Sequence, residues 1–103
     1  MASIYHRATV WHGALTETIY TGQGLLFGMQ LATDAVNDPT ITIYDNTSAS
    51  GTELVPTTLY EADYKGLNGF TCGYGKYFSN GLHIVISFGG AGTCEVVVDY
   101  TKL

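Results

Sequence analysis

The side chains best suited to proton transfer are three histidines, which lie far apart in the chain at His6, His12 and His83. None stands beside a marked nucleophile, and no serine occupies the G-x-S-x-G turn of a nucleophile elbow. A Ser-His-Asp arrangement could still assemble in space, but no local pattern supports one. We therefore expect no catalytic residues and a protein that is not an enzyme. His83 alternates with Leu82 and Ile84, so we expect its ring to face solvent or a neighbouring subunit.

Two pairs of closely spaced carboxylates are the next candidates for chemistry. Asp34 and Asp38 flank a predicted turn, and Glu61 and Asp63 lie two residues apart at a strand end. Facing acids across a cleft could hydrolyse a glycosidic bond. An aspartate in a turn instead binds nearby backbone N–H groups, and this interpretation is favoured.

The two cysteines, Cys72 and Cys94, permit one disulfide. Metal sites normally need four closely spaced ligands, and neither C-x-x-C nor H-x-x-H spacing occurs, so we expect no metal and no cofactor. No basic segment followed by an apolar one opens the chain, which predicts no secretory signal peptide. Two buried reduced thiols are therefore favoured over a disulfide.

The charge of the chain argues against two classes of partner. Four Lys and Arg residues stand against nine Asp and Glu residues, which gives a net charge of −5. Four scattered cations cannot neutralise a row of phosphates, so we expect no nucleic acid partner. No apolar run approaches the roughly 20 residues that cross a membrane, so we expect no membrane partner.

Alternation of apolar and polar residues recurs between turn signals, as is typical of half-buried antiparallel strands. In the run 24–33 the alternation predicts that one face carries Leu25, Phe27, Met29 and Leu31. Similar runs follow at 41–44, 82–88 and 94–101, and weaker strands are expected at Ser3–Trp11, Thr16–Thr21, Thr52–Tyr60 and Phe70–Tyr74. Pro56 predicts an edge position or a bulge, because proline cannot donate a ladder hydrogen bond. The sequence predicts an all-β fold: a single antiparallel β-sandwich or jelly-roll-like domain of about eight short strands.

Thirteen aromatic residues are many for a chain of 103, and the segment 60–78 interleaves six of them with glycines. Such a segment suits adaptable protein contacts. It also suits the stacking of sugar rings, and several rings could simply fill the ends of a sandwich. The predicted interface residues in this part of the chain are Tyr64, Tyr74 and Tyr77.

The first twelve residues carry apolar side chains on both faces of a predicted strand. Such a terminal strand can reach onto a partner chain or lie inside its own sandwich, and the two are equally favoured. We divide the chain into an N-terminal strand or docking arm, residues 1–12, and a β-sandwich domain, residues 13–103. Tyr5, Arg7 and Trp11 complete the predicted interface.

Four stretches together give the chain a resemblance to a known class of proteins. They are Gly24–Leu31, the run PTITIYDNTSASGT at 39–52, the run YFSNGLHIVIS at 77–87, and the closing EVVVDY at 95–100. In these stretches the chain resembles small β-sandwich virion proteins of tailed bacteriophages, over about residues 22–100. The motifs are strand and turn patterns that contain no catalytic or cofactor-binding residues. The first twelve residues lie outside the likeness.

The resemblance implies a non-enzymatic capsid decoration (cement) protein that binds the outer surface of the phage head and stabilises the expanded shell. Its partners would be the phage major capsid protein and other copies of itself, as a trimer or a dimer. Its place would be the virion, after assembly in the host cytoplasm. Alternatives are a neck, tail or head-fibre module of a phage, or a glycan-binding β-sandwich module.

Overall fold

The protein is described by a computed structural model covering residues 4–11, 14–33, 38–59, 67–88 and 93–103. Side chains are described in 15–32, 38–56, 75–87 and 95–103. These residues form eight strands: β1 (Ile4–Trp11), β2 (Ala14–Thr21), β3 (Gly24–Thr33), β4 (Pro39–Tyr44), β5 (Glu53–Leu59), β6 (Leu67–Phe78), β7 (Gly81–Phe88) and β8 (Thr93–Lys102). In the part of the chain described, no helix could span a membrane.

The strands form two four-stranded antiparallel sheets. Sheet 1 has the order β1-β8-β3-β6, and sheet 2 has the order β2-β7-β4-β5. The pairs are nested, since β1 pairs with β8, β2 with β7, β3 with β6 and β4 with β5. Eight strands paired in this way across two sheets form a jelly roll. The predicted all-β sandwich of about eight strands is therefore confirmed.

The core lies between the sheets and is built by the predicted alternation in β4, β7 and β8. Within 41–43, 82–86 and 96–100, every second residue is nearly inaccessible to solvent, and the set comprises Ile41, Ile43, Leu82, Ile84, Ile86, Val96, Val98 and Tyr100. Aliphatic and aromatic side chains from both sheets meet here, and removing their apolar surface from water is the main favourable term in folding.

The predicted alternation of β3 is wrong in its first half, because the strand contains a bulge at Phe27. Along β8, Leu26 pairs with Tyr100 and Gly28 with Asp99, so Phe27 is an extra residue. An extra residue reverses the side-chain phase. Leu26 therefore joins Met29 and Leu31 in the core, while Leu25 and Phe27 are only half-buried.

The edge strands β5 and β6 both depart from regular pairing. Pro56 lies in β5, at the edge of sheet 2, where the register with β4 shifts between Ile41 and Ile43. The prediction of an edge or bulge position for this proline is confirmed. In β6 the register shifts so that residues 72–75 lie opposite Phe27.

The first strand lies at the other edge of sheet 1. All eight residues of β1 pair with β8 without a shift in register, from Ile4 opposite Tyr100 to Trp11 opposite Thr93. Use of this strand as an arm on a partner chain stays a prediction.

Candidate interaction surfaces

The outer face of sheet 1 can be defined from the register of its strands. In β8 the core residues Val96 and Val98 alternate with Glu95, Val97 and Asp99, which point away from the core. Residues directly opposite each other on antiparallel strands share a face. In β1, Tyr5 pairs with Asp99, Arg7 with Val97, Thr9 with Glu95 and Trp11 with Thr93. These four β1 positions therefore belong to the outer face of sheet 1.

The other half of this face is formed by β3 and β6. Leu25 pairs with Tyr77, whose side chain is 53% exposed and whose hydroxyl donates to Gln23 Oε1 at 3.2 Å. Gly75 lies in the β6 bulge with φ +101°, where a Cβ atom would stand 3.1 Å from both Leu25 Cβ and Phe27 Cε1. The bulge thus packs backbone closely onto half-exposed apolar side chains, a contact that a larger residue would disturb.

Four of the six predicted interface residues share this face. The register places Tyr5, Arg7, Trp11 and Tyr77 on the outer face of sheet 1. Tyr74 lies within the β6 bulge, where the pairing assigns it to no face, and Tyr64 lies outside the described residues.

The sequence did not identify the apolar residues Leu25, Phe27 and Val97 as part of this surface. The bulge at Phe27 brings Leu25 and Phe27 outward, and a regular alternation pattern carries no signal for it. The alternation along 94–101 places Val97 on the face opposite the core residues Val96 and Val98, but Val97 was not among the predicted interface residues.

Among the residues whose side chains the structure describes, one carboxylate oxygen on this face has no hydrogen-bond partner. Asp99 Oδ1 is buried and accepts no hydrogen bond. Its residue lies opposite Tyr5 and diagonal to Arg7 in the register. A buried acceptor without a donor costs about 1–3 kcal/mol.

The connections at one end of the sandwich meet in what we call the loop end, residues 22–23, 45–52, 79–80 and 103. The carboxylate of Asp45 accepts from the backbone N–H groups of Ser79, Asn80 and Gly81 at 2.8–3.3 Å. The N–H of Asp45 donates to Thr52 O at 2.8 Å and closes its own loop. Asp45 thereby fastens the β4–β5 connection to the β6–β7 turn.

The charge state of Asp45 follows from the same contacts. Partial burial alone would raise the pKa of its carboxyl group. The hydrogen bonds from the N–H groups of Asn80, Ser79 and Gly81, with the Ser79 hydroxyl, outweigh burial and lower the pKa below the ordinary 3.8. Hydrogen bonds to the ionised form have this effect because they stabilise the charge.

His83 lies on the outer face of sheet 2, where its alternation with Leu82 and Ile84 predicts it. The expectation that its ring faces solvent is wrong, because the residue is only 6% exposed. Thr18 Oγ1 donates to Thr47 O at 3.1 Å and lies 2.8 Å from His83 Nδ1. A hydroxyl has one proton, so His83 Nδ1 is the donor in the second contact. Nε2 is left as a buried atom without a partner.

Several aromatic rings fill the sandwich rather than its surface. Phe78 is fully buried, and Tyr20 contacts both Phe78 and Tyr100, with ring centroids 6.2 and 5.7 Å away. Burial, and secondarily the charge of Tyr20 when ionised, raises the pKa of Tyr100. Phe78 shows that at least one ring of the aromatic segment is a core residue.

The register of sheet 1 separates the two cysteines. Thr71, which precedes Cys72, pairs with Gly28, whereas Cys94 pairs with Thr33 on the other side of β3. Five residues along β3 and two strand spacings put the two Cα atoms about 20 Å apart. A disulfide needs Cα atoms within about 7 Å, so one chain cannot join them.

Within the described part of the chain, no group of three or more His, Cys, Asp or Glu side chains could hold a metal ion. The groups brought together at the loop end are neutral hydroxyls, amides and one carboxylate already saturated by N–H donors. This arrangement fastens loops, and the outer face of sheet 1 is the more open surface.

Comparison with known proteins gives a weak structural likeness. No family model and no curated protein matches the chain. Among solved structures, it is similar to the virus-like particle of the extra small virus of the giant freshwater prawn Macrobrachium rosenbergii, determined by cryo-EM. The TM-score is 0.35 at 8% identity, over 96% of this chain and 80% of that chain. A likeness at this level carries no argument about function.

Proposed function

We propose that this chain is a non-enzymatic structural protein of a bacteriophage virion, a decoration protein that binds the outside of the head through the outer face of sheet 1. Its partners in this proposal are the major capsid protein and further copies of itself. Its location is the surface of the virion.

A contact between two of the motifs that carry the resemblance supports the proposal. The aspartate of the YDNTSASGT stretch binds the backbone of the SNG turn, Ser79–Gly81, which belongs to the other main motif. Two motifs that contact each other across 34–36 residues of sequence define one structural unit. The two main motifs of the resemblance therefore belong to one structural feature of this chain and are not isolated strand patterns.

The outer face of sheet 1 is the observation that carries the proposal. It combines half-exposed Leu25 and Phe27, exposed Tyr77 and the unsatisfied oxygen of Asp99. Aromatic residues and desolvated polar groups are typical of the centres of protein interfaces. A glycan site built from stacked rings is less well supported, because Tyr77 is the one aromatic side chain in the described set that is largely exposed.

The physical task of such a protein is to favour one state of the shell. A protein that binds the expanded shell and not its precursor stabilises the expanded form by mass action. Each copy bound to a head contributes a modest stabilisation, and the total grows with the number of bound copies. A jelly roll fastened at its loop end supplies a rigid body for that purpose.

Co-sedimentation with expanded, emptied heads of the phage that encodes the chain tests the proposal. The informative variant is Gln30→Arg, because Gln30 is exposed near the middle of the outer face, opposite Val97. Its matched control is Thr16→Arg, an exposed position on the outer face of sheet 2.

We expect the wild-type protein and Thr16→Arg to sediment with the heads, and Gln30→Arg to need about tenfold more protein for the same occupancy. The longer arginine side chain would hold the two surfaces apart, and its charge would have to be desolvated, which together cost at least that factor of ten. If the wild-type protein ignores the heads, or binds a glycan array in their place, the function is wrong. If both variants bind equally well, the assigned face is wrong.

A further inference from the structure

We propose that two copies of this chain pair through β1, antiparallel about a two-fold axis at Ala8, and thereby join their two copies of sheet 1 into one continuous eight-stranded sheet. This inference concerns the isolated protein and stands independently of the proposed function. It predicts a dimer, whereas the sequence analysis left both a trimer and a dimer open.

Three of the four edge strands are protected against such pairing. The β5 edge has Pro56 and a shifted register, and the β2 edge has a shift between Thr18 and Tyr20. The β6 edge has the bulge at 72–75, and Lys76 Nζ donates to the carbonyl of Leu54 on the neighbouring edge. Bulges, prolines and lysines are the usual means by which an edge avoids adding another strand.

The β1 edge has none of these features. Its eight residues, IYHRATVW, contain no proline, glycine or lysine, and all eight pair with β8 in unbroken register. On the side away from β8, a regular edge strand presents a row of backbone N–H and C=O groups that can accept another strand. Within the described residues, β1 is therefore the edge best shaped for strand addition.

With the two-fold axis at Ala8, the sequence of β1 pairs with itself without opposing like charges. Two copies related by a two-fold axis must place outer-face positions opposite outer-face positions. An axis at Arg7 would set that cation against its own copy, a like-charge pair that destabilises a sheet. An axis at Ala8 sets Arg7 opposite Thr9, and Tyr5 opposite Trp11.

The register with its axis at Ala8 favours a second copy of this chain, and not an unrelated strand, as the partner of the β1 edge. It pairs seven residues of each strand, places the smallest residue at the axis, and repeats an aromatic pair at both ends. Aromatic pairs across antiparallel strands are among the more stabilising cross-strand contacts. A two-fold interface also uses both free β1 edges, so association stops at the dimer.

Light scattering over a dilution series of the full chain measures the dimer directly. We expect a mass of twice 11.1 kDa at high concentration. Thr9→Arg should raise the dissociation constant roughly tenfold, because it puts two Arg–Arg pairs across the interface. Within one chain the new arginine lies opposite Glu95, so the fold is not opposed. Thr16→Arg on the β2 strand is the matched control and should dimerise like the wild type.

The double variant Arg7→Glu with Thr9→Arg tests the register itself. It places opposite charges across the axis and should restore the wild-type dissociation constant. Trp11 is the single tryptophan, so its emission should shift on dilution in every variant that dimerises.

A chain that remains monomeric throughout the series, or forms a trimer, would overturn the proposal. So would equal dissociation constants for Thr9→Arg and Thr16→Arg, or a double variant that stays as weak as Thr9→Arg.

Discussion

At the scale of single residues, Asp45 does more for the fold than its exposed surroundings suggest. One carboxylate receives the N–H groups of three consecutive residues from a distant turn. This arrangement is comparable to a helix N-cap, where an aspartate that accepts backbone N–H groups contributes about 0.5–2 kcal/mol. The sequence predicted aspartates in turn roles, but it could not identify which distant N–H groups Asp45 would meet.

We expect Asp45→Asn to lower the free energy of unfolding by about 1–2 kcal/mol at pH 7. For a domain of this size that corresponds to a melting temperature lower by about 4–16 °C. Glu95→Gln, at an exposed acid, is the control and should change little.

The pH dependence of this loss has a definite sign. The folded-state pKa of Asp45 is lowered from 3.8, so its stabilisation is complete above pH 3.8 and disappears as the pH falls through the folded-state pKa. Thermal melts of both proteins from pH 7 down to pH 2 should therefore converge at the acidic end. A difference that grows towards acid would contradict the assignment.

Thr18 provides a second residue-scale prediction, because its hydroxyl joins two elements. It donates to Thr47 O and accepts from His83 Nδ1. Thr18→Val keeps the shape but removes both bonds, leaving the buried His83 ring without its one partner. We expect a loss of about 1–3 kcal/mol in urea unfolding. Thr16→Val, two residues earlier on the same strand and exposed, should leave the midpoint unchanged; equal effects would refute this role.

At the scale of elements, β3 illustrates what a sequence pattern can and cannot specify. Alternation correctly predicted a strand at 24–33, and correctly placed Met29 and Leu31 in the core. It failed at Leu25 and Leu26 because the bulge at Phe27 depends on the pairing with β8 and β6, which are distant in sequence. In β4, β7 and β8 the described core positions keep a regular phase, and there the pattern was sufficient.

The pairing of whole strands also predicts the redox state of the cysteines. Because β3 separates β6 from β8, Cys72 and Cys94 cannot form a disulfide within one chain. We expect two titratable thiols per chain after unfolding in a non-reducing buffer, and no change in unfolding midpoint on adding a reductant. If the unfolded protein has no free thiol and is not crosslinked to a second chain, this strand register is wrong.

At the scale of the whole molecule, the sequence predicted the architecture well, whereas the interface residues stay a prediction. Short alternating runs between turns limited the fold to a sandwich or jelly roll, because a single sheet could not bury so many apolar faces. The strand order could not be deduced, since every pairing in the nested arrangement except β4–β5 joins strands that are far apart in sequence. The predicted interface residues Tyr5, Arg7, Trp11 and Tyr77 proved to share one face only once the register was known.

We propose that this shared face, the outer face of sheet 1, is the surface through which the protein binds a capsid. A cryo-EM reconstruction of expanded heads mixed with the purified protein tests it most directly. The account predicts a jelly roll with sheet 1 against the shell, Gln30 and Tyr77 at the contact, and the outer face of sheet 2 exposed to solvent. A contact through sheet 2 or through the loop end, or heads without added density, would contradict it.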